Sequence, residues 1–282
     1  MLVVGVEKMW TGDRGQTLAG IEDGLPADER RALRRELVND AGSVLMGLNA
    51  TWVRTQLDER GTTLEQIAAT AVKSRANGSR NPLAQFRTPV TAEEVLASPA
   101  VVPPLTRLMC SSFTDGAAAV VLSGASHSGA PRLTASVLRS GDGELDYHDR
   151  LQDTAEQLWK EAGLGPSDID VAEIHDATAA EELYALESLG FFEAGDAGLA
   201  TVAGATGVGG AVCVNPSGGL VSRGHPLGAT GICQIVELAL QLRGEAEGRQ
   251  HPGARTALSV NTGGILGARD TALVAMHVLQ RP

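Results

Sequence analysis

The chain has 282 residues, 43% hydrophobic, 20% charged and 3% aromatic, with a net charge of −11 and a sequence pI of about 5.0. That composition suits a globular protein of one or two domains with a sizeable core. An acidic chain gains nothing from approaching nucleic acid or an anionic membrane, and charged or polar residues break every apolar run before it could span a bilayer.

The N-terminus, MLVVGVEKMW, lacks the basic lead-in of a signal peptide. Cys110, Cys213 and Cys233 are widely spaced with no CxxC pair, which argues against a disulfide framework and a zinc site and fits a reducing cytoplasm. Leu2–Val6 reads as a buried strand. Such a strand needs neighbours on both sides, and nothing precedes it, so the chain is expected to lean on a partner or to be incomplete. From Thr11 to Ser98 charge is denser and the helices are short and amphipathic: Ala27–Leu37, the more apolar Gly42–Leu57, and Thr63–Arg75, which opens on a Thr-Thr-Leu-Glu capping signature. Residues 77–91 are turn-rich and extended, and Pro99–Leu105, with three prolines, reads as a linker. The region is expected to be an inserted helical subdomain, with an ordinary helical layer as the alternative to any part in catalysis.

Asp115–Ser123 reads as a second buried strand, and Leu133–Leu138 opens a βαβ series. Asp149–Ala162 is an amphipathic helix with Leu151, Ala155, Leu158 and Trp159 on one face, ended by Gly163. Ile169–Ile174 is a strand running into His175-Asp176-Ala177, and Ala179–Leu189 is a helix stopped at Gly190. Residues 201–212 are rich in Gly and Ala; Thr256–Val260 is a strand running into Asn261-Thr-Gly-Gly; Asp270–Leu279 is the last strand. Strands alternating with helices predict a layered α/β fold whose site sits on loops at strand ends.

The most informative stretch is Asn215–Gly231, NPSGGLVSRGHPLGATG, which sets glycines and two prolines around His225 and runs into an apolar helix, Ile232–Leu242. Glycine permits positive φ and close backbone approach, and Pro226 suits a helix start. The expectation is a buried loop presenting a fixed imidazole at a helix N-terminus, fit to activate a nucleophile or hold an oxyanion. Its alternative is a glycine-rich turn with an incidental histidine. Polar or glycine-rich loops follow three core strands, at His175-Asp176, Asn215–Pro226 and Asn261–Gly264, and a shared sheet edge would bring them together. His175 with Asp176 could instead cap the following helix, and Gly263-Gly264 could be a plain turn. Tyr184 reads as a half-buried aromatic, with an acidic phenol near the site as the other option. His127, His148, His251 and His277 read as solvated or structural, and Cys213 and Cys233 as core thiols.

The order NxxGGxxxxGHPxGxxG resembles the active-site loop of the thiolase superfamily. MLVVGVEKM is similar to the strand after that family's nucleophile helix, NPLAQFRTPVTAEEVLASP and SSFTDGAAAVVL to its loop domain and returning strand, and VAEIHDA with ELYALESLGF to the sterol-carrier and lipid-transfer-protein-like branch. The resemblance implies a thiolase-like layered αβα fold with a partial N-terminal half and a complete C-terminal half. Residues 1–10 and 110–130 would be the remnant of the N-terminal domain, 11–109 the helical loop domain and 131–282 the C-terminal domain. It implies that His225 is base and oxyanion donor, that His175 holds a water completing the oxyanion hole, and that Gly263 and Gly224 offer backbone groups. It also implies a coenzyme A thioester as substrate and no cofactor or metal.

Three departures follow. The family's nucleophilic cysteine lies before MLVVGVEKM; its second cysteine aligns with Asn261, which cannot transfer protons at neutral pH; and Ala177 stands where the sterol-carrier type has a further cysteine. Three readings result. One is an acyl-CoA C-acyltransferase whose nucleophile comes from elsewhere. Another is a cysteine-independent retro-aldolase on a β-hydroxyacyl-CoA, with a zinc-ribbon/OB-fold partner. The third is an inactive or truncated acyl-CoA-binding subunit. A homodimer or hetero-oligomer in the cytoplasm is expected in each.

Overall fold

The computed structural model describes residues 1–23, 25–38, 43–125, 127–266 and 270–282, and only the backbone of residues 14, 15, 18 and 21. The chain opens with β1 (Leu2–Glu7) and continues through α1 (Arg14–Glu22), α2 (Ala27–Val38), α3 (Val44–Glu59), α4 (Leu64–Ser79) and α5 (Ala92–Ala97). Gly42, the expected start of α3, lies outside the described residues. A capping box starts α4, but Thr63 exchanges its hydrogen bonds with Gln66 at 3.1 and 3.3 Å, one residue beyond the glutamate expected for it. Pro99–Leu105 is no linker: β2 (Ala100–Val102) and β3 (Leu105–Thr106) close a small antiparallel hairpin there, because the turn at Pro103-Pro104 brings its flanks into pairing.

After β4 (Gly116–Val121), the chain builds β5 (Arg132–Ser140), α6 (Tyr147–Ala162), β6 (Val171–Ile174), α7 (Ala179–Ser188) and α8 (Asp196–Val202). β7 (Cys213–Val214), α9 (Gly219–Arg223), α10 (Thr230–Arg243), β8 (Thr256–Gly263) and β9 (Leu273–Gln280) complete it. Gly163, at φ 65°, ends α6 as the sequence predicts.

Five strands form one sheet in the order β5-β9-β8-β6-β7; β6 runs parallel to β7 and β8, and β9 antiparallel to β8 and β5. Alternation along the strands serves both faces. Val171, Ala257 and Leu279 pack on Leu238 and Leu242 of α10, whereas Ala172, Ile174 and Val260 pack with Leu151 and Leu158 of α6 and Leu183 of α7. β1 and β4 pair antiparallel in a separate two-stranded ribbon that packs on α10. The layers thus run ribbon, α10, sheet, and α6 with α7: a mixed, layered α/β fold.

The ribbon corrects two expectations. Neither Leu2–Val6 nor Asp115–Ser123 is a buried strand: Leu2, Val4, Val6 and Val121 are 65%, 54%, 63% and 75% exposed. Among the described residues, protein packs on the ribbon's inner face alone. There Gly5 approaches the turn before α10 so closely that a Cβ would sit 2.6 Å from the Gly228 carbonyl oxygen.

Candidate active site

Because β6, β7 and β8 are parallel, the chain leaves all three at one sheet edge. His175 follows β6, Asn215 follows β7, and Asn261 and Gly263 close β8. Beyond this edge lies a cavity of about 960 Å³, lined by His175, Ala177, His225, Asn261 and Gly263 among others. Its far wall comes from the helical insertion, through Leu45, Met46 and Trp52 of α3, Arg75 of α4 and Phe86.

His225 is 7% exposed and held on three sides. Its backbone N–H donates to the Ser112 carbonyl at 2.9 Å, and its ring lies 6.3 Å from that of Phe113. Nδ1 meets Thr230 Oγ1, on the first residue of α10, at 2.8 Å. The Thr230 hydroxyl donates its hydrogen to the Pro226 carbonyl at 3.0 Å, so it can only accept from the ring. That assigns the proton of the neutral imidazole to Nδ1 and leaves Nε2 with a bare lone pair. Nε2 has no hydrogen-bond partner among the described residues. Burial pushes the His225 pKa well below its ordinary value, and the neighbouring His175 and Arg223 push it the same way. The ring enters chemistry neutral.

His175 is the second imidazole, its ring centroid 5.1 Å from that of His225 and nearly edge-on at 79°. Its Nδ1 donates to Glu181 Oε1 at 2.8 Å. Tyr147 donates its phenol hydrogen to the same oxygen at 2.6 Å, and the Ala177 N–H donates to Glu181 Oε2 at 2.8 Å. A carboxylate cannot donate, so in the neutral ring Nε2 is again the bare nitrogen. Two imidazoles with their Nδ1 atoms tied back stand together at the sheet edge.

The helix-cap alternative for His175-Asp176 does not hold, because α7 is capped by the Thr178 hydroxyl, which accepts from the Glu181 N–H at 3.3 Å. Asp176 turns instead under the glycine loop and accepts the Leu220 N–H at 2.6 Å. Gly219 must be glycine there: its φ is 58°, and a Cβ would sit 2.2 Å from Asp176 Oδ2. Below lies a buried polar bed. Glu173 accepts from the Ser217 N–H at 3.0 Å, the Ser217 hydroxyl at 2.7 Å and Arg223 Nη1 at 3.2 Å; Glu182 pairs with Lys73 and with Asn215 Nδ2. Burial raises the Glu173 pKa to about 7, and burial followed by the charge of Glu182 raises that of Asp176. The bed fixes the loop from below; none of these carboxylates lines the cavity.

Asn261 lines the cavity, and its Oδ1 is buried without a hydrogen-bond partner among the described residues. Gly263 is exposed on the cavity wall. Gly224 does not fit the backbone-donor role: its N–H is spent on the Leu220 carbonyl at 3.2 Å, ending α9, and it stays outside the cavity. Tyr184 is likewise away from the cavity, and burial raises its phenol to about 12. None of His127, His148, His251 and His277 lines it. Cys110 does, but its thiol donates to the Thr106 carbonyl at 3.4 Å and burial lifts its pKa to about 12. Sequence reasoning passed over Glu181, Thr230 and Tyr147. Glu181 and Thr230 had a usable signal, since each falls in the first turn of the helix following its histidine.

Residues 143–276 match the family described as thiolase C-terminal domain-like. The acetyl-CoA acetyltransferase of Methanothermobacter thermautotrophicus is 39% identical, and the match covers 100% of this chain and 72% of that protein. Sterol carrier protein 2 of Bos taurus is 38% identical over 74% of this chain and 42% of its own length. Among solved structures, the Ltp2-ChsH2(DUF35) aldolase superposes with a TM-score of 0.79 over 99% of this chain and 72% of the neighbour, at 23% identity, a likeness of fold. The glycine-loop histidine, the layered sheet and a relative matched along the whole chain agree: the chain belongs to the thiolase family of acyl-CoA enzymes.

Proposed function

We propose that this chain makes or breaks a carbon–carbon bond beside the thioester of an acyl-CoA, with His225 as the proton-handling group. The observation that carries the reading is the imidazole pair, 5.1 Å apart, at the edge of a cavity of about 960 Å³. A volume of that order takes a thioester with part of its pantetheine arm. The bare Nε2 of His225 takes a proton from the substrate; once protonated, the same N–H donates to the thioester oxygen as negative charge gathers there. The bare Nε2 of His175 accepts one hydrogen of a water, whose other hydrogen then points at that oxygen. Gly263 supplies a backbone donor, and the Asn261 amide hydrogen-bonds substrate without transferring protons.

Acyl transfer through a covalent intermediate takes a cysteine thiolate, and Cys110, held at a pKa of about 12, does not supply one at neutral pH. That favours a second reading, retro-aldol cleavage. His225 Nε2 removes the β-hydroxyl proton of a β-hydroxyacyl-CoA, the Cα–Cβ bond breaks, and its electron pair becomes the thioester enolate. A carbonyl compound leaves, and the enolate carbon takes the proton back from His225. A zinc-ribbon/OB-fold subunit or a second copy of the chain is the partner proposed for either chemistry, in a cytoplasm that keeps the thiols reduced. Among the described residues no helix is long and apolar enough to cross a membrane.

The test is incubation with acyl-CoAs and β-hydroxyacyl-CoAs, following products and intact protein mass together. A covalent acyl adduct selects transfer, and a shortened acyl-CoA without an adduct selects cleavage. Neither product nor adduct with any thioester sinks the reading.

A further inference from the structure

Arg75, on α4, is 9% exposed and lines the cavity. Its guanidinium carbon lies 4.6 Å from the centre of the Phe86 ring, which also lines it. Stacking covers the flat face of the group and leaves its in-plane N–H donors free. Nε and Nη1 are buried with no hydrogen-bond partner, and no carboxylate pairs with Arg75 among the described residues. Every carboxylate among the described residues that line the same cavity is already engaged. Glu22 pairs with Arg34, Asp115 with Lys8, Glu181 with His175 and Tyr147, and Asp270 with Arg150. A buried guanidinium keeps its charge, and an unpaired buried charge is costly. What relieves it is an anion arriving from the cavity.

Resting on the acyl-CoA reading above, we propose that Arg75 binds a carboxylate on the acyl half of the substrate, so that the substrate class is the half-thioester of a dicarboxylic acid. Coenzyme A itself brings phosphates, but these are strongly hydrated and suit an opening. The cavity's other unpaired cation among the described residues, Arg107, is exposed and answers to them. Arg75 is buried against the Phe86 ring, in a cavity that α3 walls with apolar side chains. A carboxylate there meets a planar fork that matches its two oxygens.

The experiment is calorimetric binding of unreactive thioethers to the full chain: S-carboxypropyl-CoA against S-butyl-CoA, and the same pair built on pantetheine, which lacks the phosphates. The carboxylated member of each pair is expected to bind about ten-fold tighter or more, the effect of a charge-assisted hydrogen-bonded pair. Arg75→Met and Arg75→Gln are expected to bring the two members of each pair to equal affinity, with Arg75→Lys in between. Equal binding of the two CoA thioethers by the unaltered chain overturns the inference and leaves the acyl-CoA site standing. A loss in Arg75→Gln confined to the CoA series assigns Arg75 to the phosphates and overturns it too. Failure of all four ligands to bind the unaltered chain overturns the acyl-CoA reading and the inference with it. If neither substitution folds, the preference of the unaltered chain in both series decides.

Discussion

β1 and β6 look alike as sequence and end up in opposite surroundings. LVVGV is apolar throughout, yet Leu2, Val4 and Val6 are 65%, 54% and 63% exposed. VAEI carries a glutamate, yet every one of its four residues is buried. Neighbours decide the outcome. β6 lies between β7 and β8 with helices over both faces, whereas β1 has β4 beside it and α10 on one face only. Glu173 is tolerated in the centre because three donors reach it, and its pKa of about 7 shows what desolvation still costs. An apolar run says that a strand wants cover; it does not say that this chain supplies it.

The comparison breaks first at Ile174. Its side chain is fully buried on the α7 face, so Ile174→Ala is expected to cost about 2–5 kcal/mol, read as a lower urea midpoint at constant m-value. A cost near that of a surface site would mean that the central sheet is as loosely covered as the ribbon.

Next comes the imidazole this sheet supports. His225→Ala is expected to lose at least ~2.7 kcal/mol of transition-state stabilisation, about a hundred-fold in turnover, as oxyanion-donor removals do. The pH profile carries a sign of its own. A depressed pKa keeps the ring neutral below the ordinary histidine range, so the acid limb of kcat/KM is expected below about pH 6.5. Stability follows the same linkage: the unfolded chain binds this proton first, so the His225 contribution falls as pH drops through about 6.5 towards the folded pKa. Glu173, raised to about 7 from 4.5, works the other way and loses stability as pH rises through that window. Removing His225 therefore leaves stability falling more steeply with rising pH, a difference that denaturation across the range can measure.

Much of this region was legible in the sequence. A short apolar strand followed at once by His-Asp, by a glycine-rich His-Pro loop or by Asn-Thr-Gly-Gly marks chain leaving a sheet edge, and parallel strands leave at the same edge. What ties the rings down was not read. Glu181 and Thr230 are local, but Tyr147 and Arg75 reach the site only through tertiary packing. The residues of the helical insertion leave an ordinary layer open beside a part in the site, because an apolar helix face has the same pattern whether it meets a core or walls a cavity. Thr230→Val sharpens the local part. It leaves Nδ1–H without an acceptor and frees the ring, so turnover is expected to fall by about 1–3 kcal/mol, with Thr230→Ser restoring most of it. A merely structural role would move the unfolding midpoint and leave the pH profile in place.

The smallest effect belongs to the ribbon, and it tests the comparison most directly. Val4 sits on the outer face of β1, where a charged side chain meets water. In the dilute limit Val4→Lys is expected to change unfolding free energy by no more than about 0.5 kcal/mol, against the several expected at Ile174. At higher protein concentration the two chains should part. An apolar strand row with unpaired backbone favours association, which raises the midpoint of the unaltered chain with concentration; an edge lysine opposes it. A costly Val4→Lys in dilute solution would show the outer face covered within the monomer, and the contrast between β1 and β6 would then lie in their partners' identity rather than in their exposure.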